Sequence, residues 1–175
     1  MNIKPIIVGT LLSALAFNAF AVDGYKNVKF GSDFATLKKA NFCTWKKGDD
    51  YSVKSVDTYY CTNFKFSGED TLAVAIFING KFERLSINVN RDVEELLAAL
   101  KAKYGEPSST SSIEAAKKAA TNGGEVYIKF DNDTIFVSVD HDLERQMDLS
   151  SLVYSSPDYS KKFSSVKTKS LEDDV

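Results

Sequence analysis

Apolar and polar positions alternate with a period of two through two stretches of the chain, and each stretch is broken by a pair of turn-forming residues. In "TLAVAIFINGKFERLSINV" the pair is Asn79-Gly80, which suits a two-residue type I′ turn because both residues tolerate positive φ. A turn there pairs residues whose numbers sum to 159. Val74 then faces Leu85 and Leu72 faces Ile87, giving an expected core face. The opposite, mixed face carries Phe77 against Phe82, Ala75 against Arg84, Ala73 against Ser86 and Thr71 against Asn88. In "EVYIKFDNDTIFVSV" the turn falls at Asn132-Asp133, and a register summing to 265 aligns Phe130 with Ile135, Ile128 with Val137 and Val126 with Val139. Tyr127, Lys129, Phe136 and Ser138 take the other face. Shorter alternation predicts strands at Cys61–Phe66 and Leu149–Tyr154.

A period near 3.6 appears ahead of each hairpin. Ser32 is the expected N-cap of "DFATLKKAN", which places Phe34 and Leu37 on one side. In "RDVEELLAALKAKYGEP", Val93, Leu96, Leu97 and Leu100 follow i, i+3, i+4, i+7. Asp92 with Glu95 reads as a capping pair, and Gly105 with Pro107 stops the helix. Ser111 with Glu114 reads as a further capping box before an alanine-rich helix ending at Gly123-Gly124. An offset of 63 lays "ATLKKA" from Ala35 on "AALKAK" from Ala98, so residues 25–90 and 91–155 read as two α-β-β-β halves. Identities are few, and chance similarity is the alternative.

That element order, with "VKFGSDFATLKKA" and "LLAALKAKYGEP", resembles small exported bacterial proteins of the β-lactamase-inhibitor-like and outer-membrane-assembly-lipoprotein-like fold group. The resemblance covers roughly Tyr25 to Ser155. It implies an α+β fold with helices packed on one face of an antiparallel sheet, and an uncovered face that meets a partner protein. No residue transfers as a site, because the second half has no cysteine and the lipid-anchor cysteine is missing. Residues 22–155 are expected to form a single α+β domain, and the polar segment 156–175 a flexible tail.

The amino-terminal residues change the setting. Lys4, the apolar run Ile6–Phe17 and the small residues Ala19 and Ala21 predict a signal peptide, residues 1–21, cleaved after Ala21. The run is shorter than the roughly 20 apolar residues a spanning helix needs, so no integral membrane segment is expected after cleavage. Cleavage leaves 175 less 21, or 154, residues and removes only Lys4 among the charges. The balance becomes 21 basic against 24 acidic, net −3, which argues against nucleic acid and anionic lipid as partners. In the periplasm an even pair of cysteines is expected to be bridged, and the Cys43–Cys61 spacing fits neither a C-x-x-C redox site nor a zinc knuckle.

Catalytic chemistry finds little to work with. His141 is the one histidine in the chain, and with Asp140, Asp142 and Glu144 it is weighed as a metal site or a base against a polar loop leaving a strand, which is the favoured reading. No G-x-S-x-G, H-E-x-x-H or glycine-rich phosphate loop occurs, and neither a metal nor a cofactor is expected. Aromatic residues stand out instead, in "FCTWKKGDDYSVKSVDTYYCTNF" and on the mixed hairpin faces. Trp45, Tyr51, Tyr59, Phe77, Phe82, Arg84, Tyr127 and Phe136 are therefore the candidate contacts for another envelope protein, with core filling as the rival role for several. The expected function is a non-catalytic periplasmic protein-binding protein, such as an inhibitor or immunity factor. The alternatives are an envelope-assembly or scaffold factor and a cell-wall hydrolase.

Overall fold

The computed structural model describes residues 21–49, 53–89 and 93–172. The expected signal peptide up to residue 20, Tyr51 and the Asp92 cap lie outside the described residues. The fold is α+β. A small hairpin, β1 (Gly24–Tyr25) and β2 (Val28–Lys29), precedes α1 (Phe34–Lys39) and the short β3 (Lys46–Lys47). Then come β4 (Val56–Phe66), β5 (Glu69–Ile78), β6 (Lys81–Asn88) and α2 (Val93–Tyr104). After β7 (Ser109–Thr110) and α3 (Ile113–Asn122) follow β8 (Gly124–Phe130), β9 (Ile135–Asp142), β10 (Met147–Ser155) and α4 (Tyr159–Glu172). Strands β3 to β10 make one antiparallel sheet in the order β3-β4-β5-β6-β10-β9-β8-β7. Two three-stranded meanders thus meet at β6 and β10, and two-residue strands close both edges, which leaves little edge for another chain to extend.

The second hairpin folds in the expected register, Phe130 opposite Ile135 and Val126 opposite Val139, with Asn132 and Asp133 both at positive φ. The first begins as expected, with Asn79 and Gly80 at positive φ and Phe77 opposite Phe82. One residue later it departs. Arg84 pairs with Ile76 instead of Ala75, so Glu83 is an extra residue that shifts the rest of the strand by one. A one-residue slip exchanges the faces of a strand. The core face is therefore Ala73, Ala75 and Phe77 with Phe82, Leu85 and Ile87, and the expected Val74–Leu85 and Leu72–Ile87 pairs do not form.

Three helices cover that core face. Phe34 of α1 stacks on Tyr59 with ring centroids 3.7 Å apart, and Leu37 is fully buried. Six residues are too few to hold a helix alone, so this packing holds it. Its N-cap is Asp33, whose carboxylate accepts from the Thr36 amide, in place of the expected Ser32. Helix α2 lays Val93, Leu96, Leu97 and Leu100 over Phe130, Val137 and Leu152. Ser112, one residue beyond the expected cap, accepts from Ala115 to start α3, while Ser111 accepts from the Tyr127 amide. Tyr25 joins the halves, 5.4 Å from Phe42, 5.8 Å from Phe64 and 4.9 Å from Tyr154 between ring centroids. A disulfide links Cys43 to Cys61 and ties the loop after α1 to β4.

The segment expected to be a flexible tail is helical from Tyr159 to Glu172, and it packs on the opposite face of the sheet. Its i, i+4, i+7 residues Tyr159, Phe163 and Val166 meet Val53, Val56, Ile76 and Ile78. The extra residue in β6 supplies the anchor. Glu83, 2 % exposed, receives Lys162 Nζ at 2.8 and 2.9 Å and a short hydrogen bond from the Ser156 hydroxyl. A buried carboxylate needs such partners.

Candidate functional site

Next to α4 the described residues leave the same sheet face uncovered, and three expected contact residues come together there. Arg84 of β6 lies with its guanidinium 3.5 Å from the Tyr159 ring centroid and 5.5 Å from that of Phe136 in β9. Lys129 of β8 stands 5.7 Å from the Phe136 ring and 4.4 Å from the Tyr127 ring. Rings and cations thus alternate across the strands as Tyr159, Arg84, Phe136, Lys129 and Tyr127. Strand alternation produces this, since Phe136, Tyr127 and Lys129 share a face in the β8–β9 register. Beyond the row lies a shallow groove bordered by Leu72, Val74, Ser86 and Leu149, with Leu72 40 % exposed.

The outer cation is fixed by a turn. Asp133 lies 3.7 Å from Lys129 Nζ and accepts the hydroxyls of Ser108 at 2.6 Å and Ser109 at 2.9 Å. The Ser108 hydroxyl, assisted by Ser109 and Lys129 and opposed by desolvation, holds the Asp133 carboxyl below its ordinary value of 3.8. The folded state therefore favours the ionised form. Its contribution to stability is present above that ordinary value and is lost as pH falls through the folded one. Following the Asp133 carboxyl carbon by NMR should show it titrating low in the wild type and closer to 3.8 in Ser108→Ala; a carboxyl unmoved by the substitution would remove the hydroxyl as the cause.

The other expected contacts lie elsewhere. Phe77, 1 % exposed, and Phe82, fully buried, are core residues on the far side of the sheet, placed there by the slip at Glu83. Tyr59 is half-buried between Phe34 and Phe77. Trp45 packs on the same core cluster, and its indole Nε1 is buried without a hydrogen-bond partner among the described residues. The aromatic residues around the disulfide thus mainly build the first half's core. Sequence reasoning missed Tyr159 and Lys129 as members of the row, although Tyr159, Phe163 and Val166 already showed helical spacing.

Asp140 and His141 are adjacent in β9, so their side chains leave opposite faces. His141 Nδ1 is 2.7 Å from Asp148, whereas Asp142 is engaged by the amide and guanidinium of Arg145. Among the described residues, no Ser, Thr, Cys or Lys lines the depression beside His141. Among the described residues no three His, Cys, Asp or Glu side chains are grouped to hold a metal ion. An apolar cleft of about 360 Å³ lies between α2, α3 and the core face, lined by Val93, Leu97, Ala116 and Val126 among others. No helix of the described residues is long and apolar enough to cross a membrane.

A protein of Haemophilus influenzae (strain Rd), described as an uncharacterized protein, is 33 % identical over 179 residues, an alignment that covers all of both chains. No solved structure matches the chain. Residues 25–174 match a family whose description reads "Uncharacterised protein", and this span, which takes in both meanders and α4, places the chain in that family.

Proposed function

We propose that this is a non-catalytic binding protein of the bacterial periplasm, exported through a signal peptide cleaved after Ala21. Its uncovered sheet face receives an extended, acidic segment of another protein. The observation that carries this reading is the row in which Arg84 and Lys129 alternate with the rings of Tyr159, Phe136 and Tyr127. Carboxylates pair with the cations, and apolar neighbours lie on the rings and in the Leu72 groove. The Cys43–Cys61 bridge is compatible with an oxidising compartment. An inhibitor or immunity factor would use this face for one partner, and a scaffold factor for several.

Photo-cross-linkers placed at Phe136 and at Leu72 in cells test this, with exposed Lys117 of α3 as the control position. The expected result is one shared adduct from the two face positions, mapped to a peptide rich in Asp or Glu and lost several-fold on Lys129→Glu. Lys129 is the better charge to reverse, because Arg84 also touches α4 through Tyr159. An equal yield from Lys117, or an adduct indifferent to Lys129→Glu, would overturn the reading.

A further inference from the structure

The first described residues make an unusual long-range contact. The backbone nitrogen of Val22 donates to Asp131 Oδ2 at 2.5 Å, across 109 positions of sequence. Both ends are held in place. Val22 packs against the cluster under α2, and the hairpin that follows it is closed by the Phe30 amide on the Asp23 carbonyl at 2.8 Å. Gly24 allows that hairpin its tight approach, since a Cβ there would stand 2.1 Å from the Val28 carbonyl oxygen. Asp131 opens the β8–β9 turn, and the same Oδ2 accepts the hydroxyl of buried Thr134 at 3.0 Å.

We propose that cleavage after Ala21 converts the Val22 nitrogen into an α-ammonium that Asp131 receives as an ion pair, so that the new amino terminus becomes a working part of the fold. This rests on the cleavage position read above. In the step a signal-type peptidase adds water across the Ala21–Val22 bond; Ala21 leaves with the new carboxylate, and Val22 keeps its nitrogen and takes up a proton. An amide offers Asp131 one hydrogen and no charge. An ammonium offers three hydrogens and a full charge, and charge-assisted hydrogen bonds are roughly twice as strong as neutral ones. The surroundings favour Asp131 as the acceptor. Lys26 and Lys103 on the adjoining cleft repel an ammonium, burial raises the Tyr25 and Tyr154 phenols above their ordinary range and so keeps them neutral, and Asp23 is engaged by Lys29 at 2.7 Å. The pair joins the chain's start to the turn that also carries Asp133, and so to the end of the ring-and-cation row.

The test compares a chain beginning at Val22, released from a fusion that leaves no residue behind, with one beginning at Phe20, each with and without Asp131→Asn. Asparagine tolerates the positive φ of this position, so the variant keeps the turn. The Val22 form should melt higher by about 3 °C, and Asp131→Asn should abolish the difference. The α-amino group should titrate above its ordinary range of about 7.7–8.0. The advantage is then complete below that range and fades as pH rises through the folded value. Equal melting of the two forms, or a difference that survives Asp131→Asn, overturns the ion pair. Mass spectrometry of the exported protein tests the cleavage separately: a first residue other than Val22 overturns the processing step, while the paired proteins still report on Asp131.

Discussion

Phe82→Ala should destabilise the protein by about 3–5 kcal/mol, the range for an aromatic side chain deleted from a packed core. Phe82 is fully buried, with its ring centroid 5.6 Å from Phe77 and 5.5 Å from Phe30. Leu72→Ala, on the uncovered face, should stay within about 0.5 kcal/mol, as surface substitutions do. The contrast decides the register of the first hairpin. Without the extra residue at Glu83, Leu72 is the core residue and Phe82 the exposed one, and the two effects exchange. Urea denaturation of both variants, read by tryptophan fluorescence and far-ultraviolet circular dichroism, measures them directly. A Leu72→Ala loss as large as that of Phe82→Ala would refute the slip.

Replacing Cys43 and Cys61 together by serine should cost about 3 kcal/mol, because the bridge shortens the unfolded chain's freedom over the loop 44–60. For a domain of this size that lowers Tm by roughly 6–12 °C. The loss has a local accent. Cys61 is buried beside Phe64, and Phe42, Cys43 and Trp45 pack on the same cluster, so hydrogen exchange should accelerate first in β3, β4 and α1. If the doubly substituted protein melts within a degree or so of the wild type, the bridge is not a principal support of this half.

How much of this was legible beforehand depends on the kind of signal. The β8–β9 hairpin could be read in full, because its turn residues, its alternation and its register all agree. The β5–β6 hairpin began correctly and then failed at Glu83, since one extra residue leaves no mark in composition and both faces of β5 carry apolar side chains. That failure moved Phe77 and Phe82 from the expected contact surface into the core. Arg84, just past the slip, keeps the face it was given, and so it still meets Phe136. Helix α4 was hidden by its lysines and serines, because its apolar stripe of Tyr159, Phe163 and Val166 is narrow and part of its hold on the sheet is polar, through Glu83 and Lys162. The expected caps at Ser32 and Ser111 were each off by one, a distance that only the hydrogen bonds of Asp33 and Ser112 resolve. The contact between Val22 and Asp131 has no local signature at all.

The strand order carries a consequence for biosynthesis. Because β6 finds its second neighbour only in β10, the middle of the sheet closes with the pairing of Ser86 to Val153 and its flanking residues, which joins a strand made early to one made late. In a nascent chain, or a fragment truncated before Met147, β6 lacks this neighbour and keeps an open row of backbone donors and acceptors. Such an edge templates self-association. Keeping the polypeptide extended until its last strand has been delivered is therefore a condition for clean folding, and late proteolytic nicking in β10 would do more harm than the same cut at either rim.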